Sequence, residues 1–351
     1  MLAVVACLAA AAPAGAQTPG ISPPGANDFA CRSTAHPVPV ILVHGTFGDM
    51  TVSWNLFSPA LVQDGYCVFA LDLVNRGMAH IDESADKLAA FIDEVRTKTG
   101  AAKVSLVGHS QGGMLGRYVA RFRGKADVID DIVGLAPSSH GTTNPLAPPL
   151  GIACPACAEQ AAGSDFMKKL NAGEDAPPPP SYTVISTKYD EVVTPYKSQA
   201  LAGATNVVLQ NACKGDVVDH VGIIYDRVAL QWTLNALGRP GPADPAFKPK
   251  CGGPSGGALP QMFATARKPR VGKHSARVRV SCASAVPCVG RIVLRDKHGR
   301  LGGGKLSIGA HKTRTVRFAV SRRPGSRVTA RVLTFQPGGY IVASLRYKLG
   351  G

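Results

Sequence analysis

A strand, a tight glycine-flanked turn and a helix follow one another without a gap in residues 103–122. Lys103–Val107 is a short apolar run of the kind found in buried parallel strands, Gly108-His-Ser-Gln-Gly112 comes next, and apolar residues continue at helical spacing to Phe122. Gly-x-Ser-x-Gly alone is weak evidence, because a chain rich in glycine and serine matches it by chance. Its position between a strand and a helix predicts a nucleophile elbow, with Ser110 as nucleophile and Gly108 and Gly112 avoiding a clash.

Strand and helix patterns alternate over residues 38–235 around this elbow. The predicted strands include Val38–Val43, Tyr66–Leu71 and Tyr182–Ser186. The predicted helices are one that Ser84 caps and Gly100 ends, and an apolar one from Ile223 to Leu234. This order predicts an α/β-hydrolase fold with a mostly parallel sheet, in a catalytic domain of residues 17–237.

Charge divides the chain into two parts. Residues 248–351 contain 22 Lys and Arg but a single acid, Asp296, whereas the other residues contain 17 basic and 22 acidic side chains. Such an abrupt change marks a domain boundary. It coincides with a segment rich in proline and glycine, so we predict a linker over residues 238–260.

The basic part, residues 261–351, has the pattern of strands. Five runs alternate apolar with basic or hydroxyl residues: Ala276–Ser281, Gly290–Arg295, Thr313–Val320, Arg327–Thr334 and Tyr340–Tyr347. This period of two predicts a small all-β sandwich, similar to an Ig-like module, with one basic face exposed to solvent. That face suits an anionic cell-wall polymer, phospholipid headgroups or nucleic acid, and a soluble spacer explains it equally well. Interleaved aromatics for stacking bases are missing, so no nucleic-acid partner is expected.

The first residues resemble an export signal. Residues 1–16 form an uncharged apolar run that ends in Ala14-Gly15-Ala16, a site that a signal peptidase cuts. Cys7 leaves a lipoprotein signal as an alternative. No later stretch reaches the length of a membrane span. We therefore predict a signal peptide and a secreted, extracellular protein, with association to the cell surface left open.

Eight cysteines remain after this signal, an even number that predicts disulfides in an exported chain. Proximity in sequence favours Cys154–Cys157 and Cys282–Cys288, and leaves Cys31–Cys67 with Cys213–Cys251 as a guess. Cys154-Pro-Ala-Cys157 lacks the strand and helix of a redox motif and a second ligand pair for a metal site. It is therefore interpreted as a structural disulfide that holds a loop together.

A serine nucleophile needs a histidine base and a carboxylate that orients the histidine. In this fold the acid follows the serine along the chain, and the histidine follows the acid. His220 is the predicted base, since it precedes an apolar helix and a loop position suits it. His140 is the rival, but it follows the elbow too soon to leave room for an intervening acid strand.

The predicted acid is Asp190, because it follows the strand Tyr182–Ser186 and the carboxyl end of a parallel strand borders the site. Its neighbour Glu191 is expected to point elsewhere. Asp216 and Asp219 are interpreted as solvated loop residues. No cofactor and no catalytic metal are predicted, because no acidic cluster has the spacing of a calcium loop.

The oxyanion of the tetrahedral intermediate requires two hydrogen-bond donors. One predicted donor is the backbone N–H of Gln111, the residue after the nucleophile. The other is assigned to the N–H of Thr46 in the loop His44-Gly-Thr-Phe-Gly48, with Phe47 as the near alternative.

Four motifs together resemble the small secreted bacterial lipases of class 2, especially actinobacterial triacylglycerol lipases: Val43-His-Gly-Thr46, Gly108-His-Ser-Gln-Gly112, Tyr189-Asp-Glu-Val-Val193 and Asp219-His-Val-Gly-Ile223. The resemblance covers about Phe29 to Leu237 and does not extend to the basic tail. It implies carboxylic ester hydrolysis of an acyl or lipid substrate, with triad roles on Ser110, Asp190 and His220.

One segment departs from this pattern. Residues 138–180 form a long proline-rich excursion that either covers the acyl pocket or lies on the surface. Two further enzymatic functions suit the same triad, a polyester or cutin hydrolase and an acyltransferase. An alternative of another class is a noncatalytic surface-binding protein that acts through its basic domain.

Overall fold

The computed structural model describes residues 22–144, 153–251, 265–266, 269–272, 274–281, 288–308, 312–322, 327–336 and 339–348. The predicted signal peptide, residues 1–16, lies outside these ranges. In the ranges that are described, no helix combines the length and the apolar character needed to cross a membrane.

Six parallel strands form the central sheet of the first unit. They lie in the order β2-β1-β3-β4-β5-β6, and every neighbouring pair is parallel. This arrangement confirms the predicted mostly parallel sheet. Their bounds are β1 Val40–Val43, β2 Val68–Leu71, β3 Val104–His109, β4 Ile129–Leu135, β5 Ser181–Ser186 and β6 Thr205–Val208.

Helices cover both faces of this sheet, because successive strand residues alternate between two apolar clusters. One cluster joins residues such as Ile41 and Phe69 to α3 and α4, and the other joins Leu42 and Val68 to α2 and α8. The helices are α1 Met50–Ser53, α2 Phe57–Gln63, α3 Ile81–Thr99, α4 Gln111–Phe122, α5 Pro155–Glu159, α6 Asp165–Leu170, α7 Leu209–Ala212 and α8 Arg227–Leu237.

Two predicted helix starts, at Ser84 and at Ile223, are wrong, because the residue that caps each helix was not recognised. Helix α3 begins at Ile81, so Ser84 is a buried residue inside the helix, where its hydroxyl accepts the N–H of Val74. Helix α8 begins at Arg227, because the Asp226 carboxylate accepts the N–H groups of the next turn and so caps the helix there. The predicted end of α3 is right, with Gly100 in the left-handed region at φ 74°.

The first half of the predicted linker is attached to the α/β unit. Phe247 packs edge-on against Trp232 at 5.0 Å, and the Ala243 N–H donates to Thr183 Oγ1 at 2.9 Å. A disulfide joins Cys251 to Cys213. Composition alone placed the linker from Gly238 onwards, but these contacts hold the chain on the α/β unit as far as Cys251.

Three disulfides confirm three of the predicted pairs: Cys31–Cys67, Cys154–Cys157 and Cys213–Cys251. The fourth predicted pair, Cys282–Cys288, involves Cys282, which lies outside the described residues.

The basic part of the chain folds into two antiparallel sheets, as the period of two predicted. One has the order β11-β10-β13-β14, and the other has the order β12-β9-β7 with β8 also paired to β9. Strands of both sheets contribute to one apolar cluster. The bounds are β7 Thr265–Ala266, β8 Arg270–Val271, β9 Ser275–Ser281, β10 Cys288–Asp296, β11 Gly299–Ile308, β12 Thr313–Ala319, β13 Arg327–Gln336 and β14 Gly339–Lys348.

Strand β11 is absent from the sequence prediction because its glycine run hides the alternation. A Cβ atom at Gly302 would clash with the carbonyl oxygen of Ala319, and one at Gly303 with that of Ile292. Glycine is therefore required here by close approach of neighbouring backbone.

Candidate active site

Ser110 stands at the corner between β3 and α4. Its backbone has φ 54° and ψ −121°, a strained conformation for a residue with a side chain. A Cβ at Gly108 would clash with the Gly112 carbonyl, and one at Gly112 with the Val43 carbonyl. These close approaches explain why both flanking positions are glycine.

The carboxylate of Asp190 is fully buried and fully hydrogen-bonded. Oδ1 accepts the backbone N–H groups of Val192 and Val193 at 2.9 and 2.7 Å. Oδ2 accepts from Gln199 Nε2 and from His220 Nδ1, each at 2.7 Å. Four donors compensate for the loss of water around this charge, and they fix the direction in which it faces the imidazole.

The loops that carry Asp190 and His220 are joined by main-chain and side-chain contacts. Tyr189 and Asp219 form a parallel bridge, and the Thr187 hydroxyl donates to the Val218 carbonyl at 2.6 Å. The imidazole of His220 is consequently buried, with only 4% of its side chain exposed. Its Nδ1 faces the acid, which leaves Nε2 as the nitrogen available for proton transfer.

His109 joins the elbow to the loop of His220. Its Nε2 donates to the His220 carbonyl at 2.9 Å, and the two rings are 4.9 Å apart. In the part of the chain that is described, no hydrogen bond joins the Ser110 hydroxyl to the His220 ring. Catalytic hydrogen bonds of this kind are often long before substrate binds.

His109 is a neutral residue at ordinary pH. Burial, and next the nearby His220, lower the pKa of His109 to about 3. Because Nε2 donates to a carbonyl oxygen, the proton of the neutral ring lies on that nitrogen. His109 was not among the residues predicted for the site, and its position directly before the nucleophile is the one signal for it in the sequence.

Glu191 binds the other polar group of the His220 backbone. The backbone N–H of His220 donates to Glu191 Oε2 at 3.3 Å. Glu191 therefore faces the backbone of His220, whereas Asp190 faces its ring. Thus the residue before the predicted nucleophile and the residue after the predicted acid bind the two polar groups of the His220 backbone.

Thr46 and the side chain of Gln111 both lie beside Gly77, and Gly45, which precedes Thr46, lies beside Ser110. A Cβ at Gly45 would be 2.8 Å from the Ser110 Cβ, and one at Gly77 would be 3.2 Å from the Thr46 Cα and 2.7 Å from the Gln111 Oε1. No hydrogen bond within the described ranges uses the backbone N–H of Thr46 or of Gln111. Both donors therefore remain available to a ligand.

The buried ring of His44 holds the loop of Thr46 through two hydrogen bonds to backbone groups. Its Nδ1 donates to the Gly45 carbonyl at 2.7 Å, and its Nε2 accepts the Leu73 N–H at 2.9 Å. Burial lowers the pKa of His44 to about 4, so the ring is neutral with its proton on Nδ1. The Thr46 hydroxyl accepts a hydrogen bond from Nε2 of Gln160 at 2.9 Å. Gln160 directly follows α5, so this bond anchors the loop of Thr46 to the end of that helix.

The rival candidates have other partners. The ring of His140 contacts the Ser198 carbonyl and the Asp175 carboxylate, at 2.9 and 3.2 Å. Asp216 accepts the Val218 N–H, and Asp219 accepts the Gly222 N–H, so both carboxylates shape the His220 loop. No group of three His, Cys, Asp or Glu side chains that could hold a metal occurs among the residues described.

Exposed apolar side chains surround this site. Six large apolar residues of the described chain are markedly exposed, and five of them belong to the loops of Thr46, Asp190 and His220: Phe47, Tyr189, Val192, Val217 and Val221. Phe47 and Tyr189 are each half exposed. Apolar side chains concentrated at one place indicate a surface that meets an apolar ligand.

Comparison with known proteins gives a family and two partial relatives. The family described as Lipase (class 2) matches residues 37–233. A triacylglycerol lipase of Pseudarthrobacter phenanthrenivorans is 38% identical over 90 residues, which cover 23% of this chain and 28% of the relative. A triacylglycerol lipase of Pseudomonas fragi is 34% identical over 110 residues, which cover 30% and 36%. The chain thus spans a minor part of these relatives' length.

The crystal structure of Aspergillus fumigatus lipase B has a similar fold. Its TM-score is 0.56 at 23% identity, and the match covers 64% of this chain and 57% of that one. At this identity the likeness concerns the fold alone, and it confirms the α/β-hydrolase architecture predicted around the elbow.

Proposed function

This chain belongs to the class 2 lipase family, and on that premise we propose that it is a carboxylic ester hydrolase, an esterase or triacylglycerol lipase, that acts through an acyl-enzyme on Ser110. The observation that carries the proposal is the buried 2.7 Å contact between Asp190 and His220, in a loop that His109 ties to the elbow. The strained backbone of Ser110 supports the same conclusion.

In the proposed reaction the Ser110 hydroxyl attacks the ester carbonyl and gives its proton to Nε2 of His220. Asp190 holds Nδ1–H and stabilises the imidazolium that forms. The N–H groups of Thr46 and Gln111 stabilise the oxyanion. His220 then protonates the leaving alcohol, and a water molecule, deprotonated by His220, hydrolyses the acyl-enzyme and regenerates the serine.

The test is turnover of a short p-nitrophenyl ester by the wild type and by Ser110→Ala. We expect a loss of roughly four or more orders of magnitude, as removal of a triad member usually gives. A p-nitrophenyl phosphonate should label the wild type at Ser110 and leave the variant unlabelled. Retention of activity within tenfold in a variant with unchanged thermal unfolding would contradict the assignment of the nucleophile.

The apolar side chains at the site, Phe47 and Tyr189 among them, support an apolar acyl substrate. Comparison of tributyrin, long-chain triglycerides and polymer films distinguishes a lipase from an esterase and from a polyester hydrolase. Formation of a new ester with added alcohol would reveal an acyltransferase. Preference for a charged, water-soluble ester over all of these would contradict the lipid substrate.

Catalysis is proposed to reside in the α/β unit alone. A chain that ends after Cys251 keeps the Cys213–Cys251 disulfide, which a cut before residue 248 would remove. Turnover of the soluble ester should survive this truncation. Loss of turnover by a folded truncated chain would favour a function of the basic unit instead.

The disulfides are compatible with an extracellular protein, and recovery of chains that begin at Gln17 would test the proposed export signal.

A further inference from the structure

Four exposed arginines form a cluster on one face of the sheet that contains β8, β9 and β12. Arg277 lies directly opposite Arg317 of β12 on one side and opposite Arg270 of β8 on the other. Arg279 is two residues further along β9 and therefore on the same face. The alternate residues Ala276, Val278 and Val316 are buried in the core, which places the arginines on the outer side.

This arrangement is unfavourable for the protein by itself. Like charges directly opposite each other in a sheet destabilise it. None of the four arginines takes part in an ion pair within the described ranges. The single acid after residue 248, Asp296, forms two hydrogen bonds to Arg322. The cluster therefore has no counter-charge in its own unit, and a multivalent anion would relieve the repulsion.

We propose that the outer face of β8, β9 and β12 is a docking surface for anionic phospholipid bilayers. This role is additional to ester hydrolysis and does not depend on it. A guanidinium binds a phosphate through two parallel hydrogen bonds, so Arg suits this headgroup. The four side chains lie on a grid of about 5 Å across strands and about 7 Å along β9, and they face outward from a sheet.

The shape of the face favours a bilayer over a linear polyanion. Headgroup phosphates form a two-dimensional layer, which matches arginines distributed over three strands. A single polymer chain presents its charges along one line. Exposed residues of the described face, such as Thr315 and Ser275, include no Phe, Tyr or Trp on which a nucleic-acid base would stack. The described geometry thus selects a planar array of phosphates.

The experiment measures binding of the full chain to vesicles of ether-linked phosphatidylglycerol and phosphatidylcholine, which contain no carboxylic ester to cleave. We expect binding at about 0.1 M salt, strong weakening at about 1 M, where the Debye length falls to about 3 Å, and none to pure phosphatidylcholine. Replacing Arg270, Arg277, Arg279 and Arg317 by Gln should reduce affinity by roughly 100-fold or more, since each basic residue near such a surface contributes about fivefold.

A matched control removes four charges from β10, β11 and the turn between them: Arg295, Lys297, Arg300 and Lys305, each changed to Gln. This control should lose less than about tenfold. An equal loss in both variants would mean that net charge alone drives binding and would overturn the proposal. Binding of soluble polyphosphate as tight as that of vesicles, at equal phosphate concentration, would also overturn it. Thermal unfolding of both variants, followed by far-UV circular dichroism, checks that the all-β unit is folded, because turnover of the soluble ester reports only the α/β unit.

Discussion

The two units of this chain carry their polar groups in opposite ways. The site of the α/β unit buries its polar groups and pairs each of them individually: Asp190 has four donors, and His109 and His44 hold particular backbone groups. In the all-β unit the core is apolar and the basic cluster stands on an outer face, while the single acid, Asp296, has a buried carboxylate paired with Arg322.

A single substitution therefore has a larger effect in one unit than in the other. A buried polar group that loses its partner pays the full cost of desolvation, so each contact of the α/β unit is needed separately. Exposed charges act through their sum, and each is worth little alone. We therefore expect large effects of single changes in the α/β unit and graded effects in the all-β unit.

The largest effect is expected from a glycine-to-alanine change, which we consider as two separate variants: Gly112→Ala in the α/β unit and Gly302→Ala in the all-β unit. Each new Cβ would clash with a carbonyl oxygen, that of Val43 or that of Ala319. Gly112→Ala should lower the free energy of unfolding of the α/β unit by about 3 kcal/mol or more and abolish ester turnover. Gly302→Ala should weaken only vesicle binding. Loss of turnover in Gly302→Ala would show that the two units are not independent.

A smaller effect is expected at His109. His109→Leu removes the donor to the His220 carbonyl and should lower kcat by roughly 10- to 100-fold with little change in KM, because a misplaced base impairs the chemical step. His109→Gln places an amide N–H near the position of Nε2 and should recover most of kcat. Equal kcat values in the Leu and Gln variants would mean that the hydrogen bond does not position the base.

The last expected effect vanishes at neutral pH and concerns stability in acid. The pKa of His109 is lowered by burial to about 3, against about 6.5 in an unfolded chain. Between these values the unfolded state binds more protons, so the stability from the neutral ring is complete above pH 6.5 and is lost as the pH falls towards 3. At pH 4.5, two pH units below the pKa of the unfolded state, this amounts to roughly 3 kcal/mol, which His109→Gln should not lose.

Urea unfolding at several pH values measures this difference. Both tryptophans of the chain, Trp54 and Trp232, are buried in the α/β unit, so their fluorescence reports that unit alone. If wild type and His109→Gln lose stability in parallel from pH 6.5 to 4.5, then another group carries the acid sensitivity. In that case the neutral ring of His109 would not be a buried group whose loss of pairing destabilises the α/β unit on its own.

Much of the fold was predictable, because it depends on local patterns. The parallel sheet, the elbow turn and the antiparallel strands follow from hydrophobic periodicity and glycine placement. Proximity in sequence predicted the Cys154–Cys157 disulfide, whereas Cys31–Cys67 and Cys213–Cys251 were a guess that the structure confirms. Caps were less predictable: Ser84 and Asp226 are both good capping residues, and only packing decided which one starts a helix. Glycine-rich β11 was missed since its residues have no side chains to alternate.

For the site, the sequence alone determined which residue types are candidates, since a serine at a strained corner, a late histidine and a carboxylate after a strand are chemical requirements. Packing of the whole fold was needed to show that His109 and Glu191 bind the backbone of His220 and that Gly45 lies against both Gly77 and Ser110. These contacts join residues more than a hundred positions apart in places. Their distances depend on how strands, helices and loops pack, which no local pattern encodes.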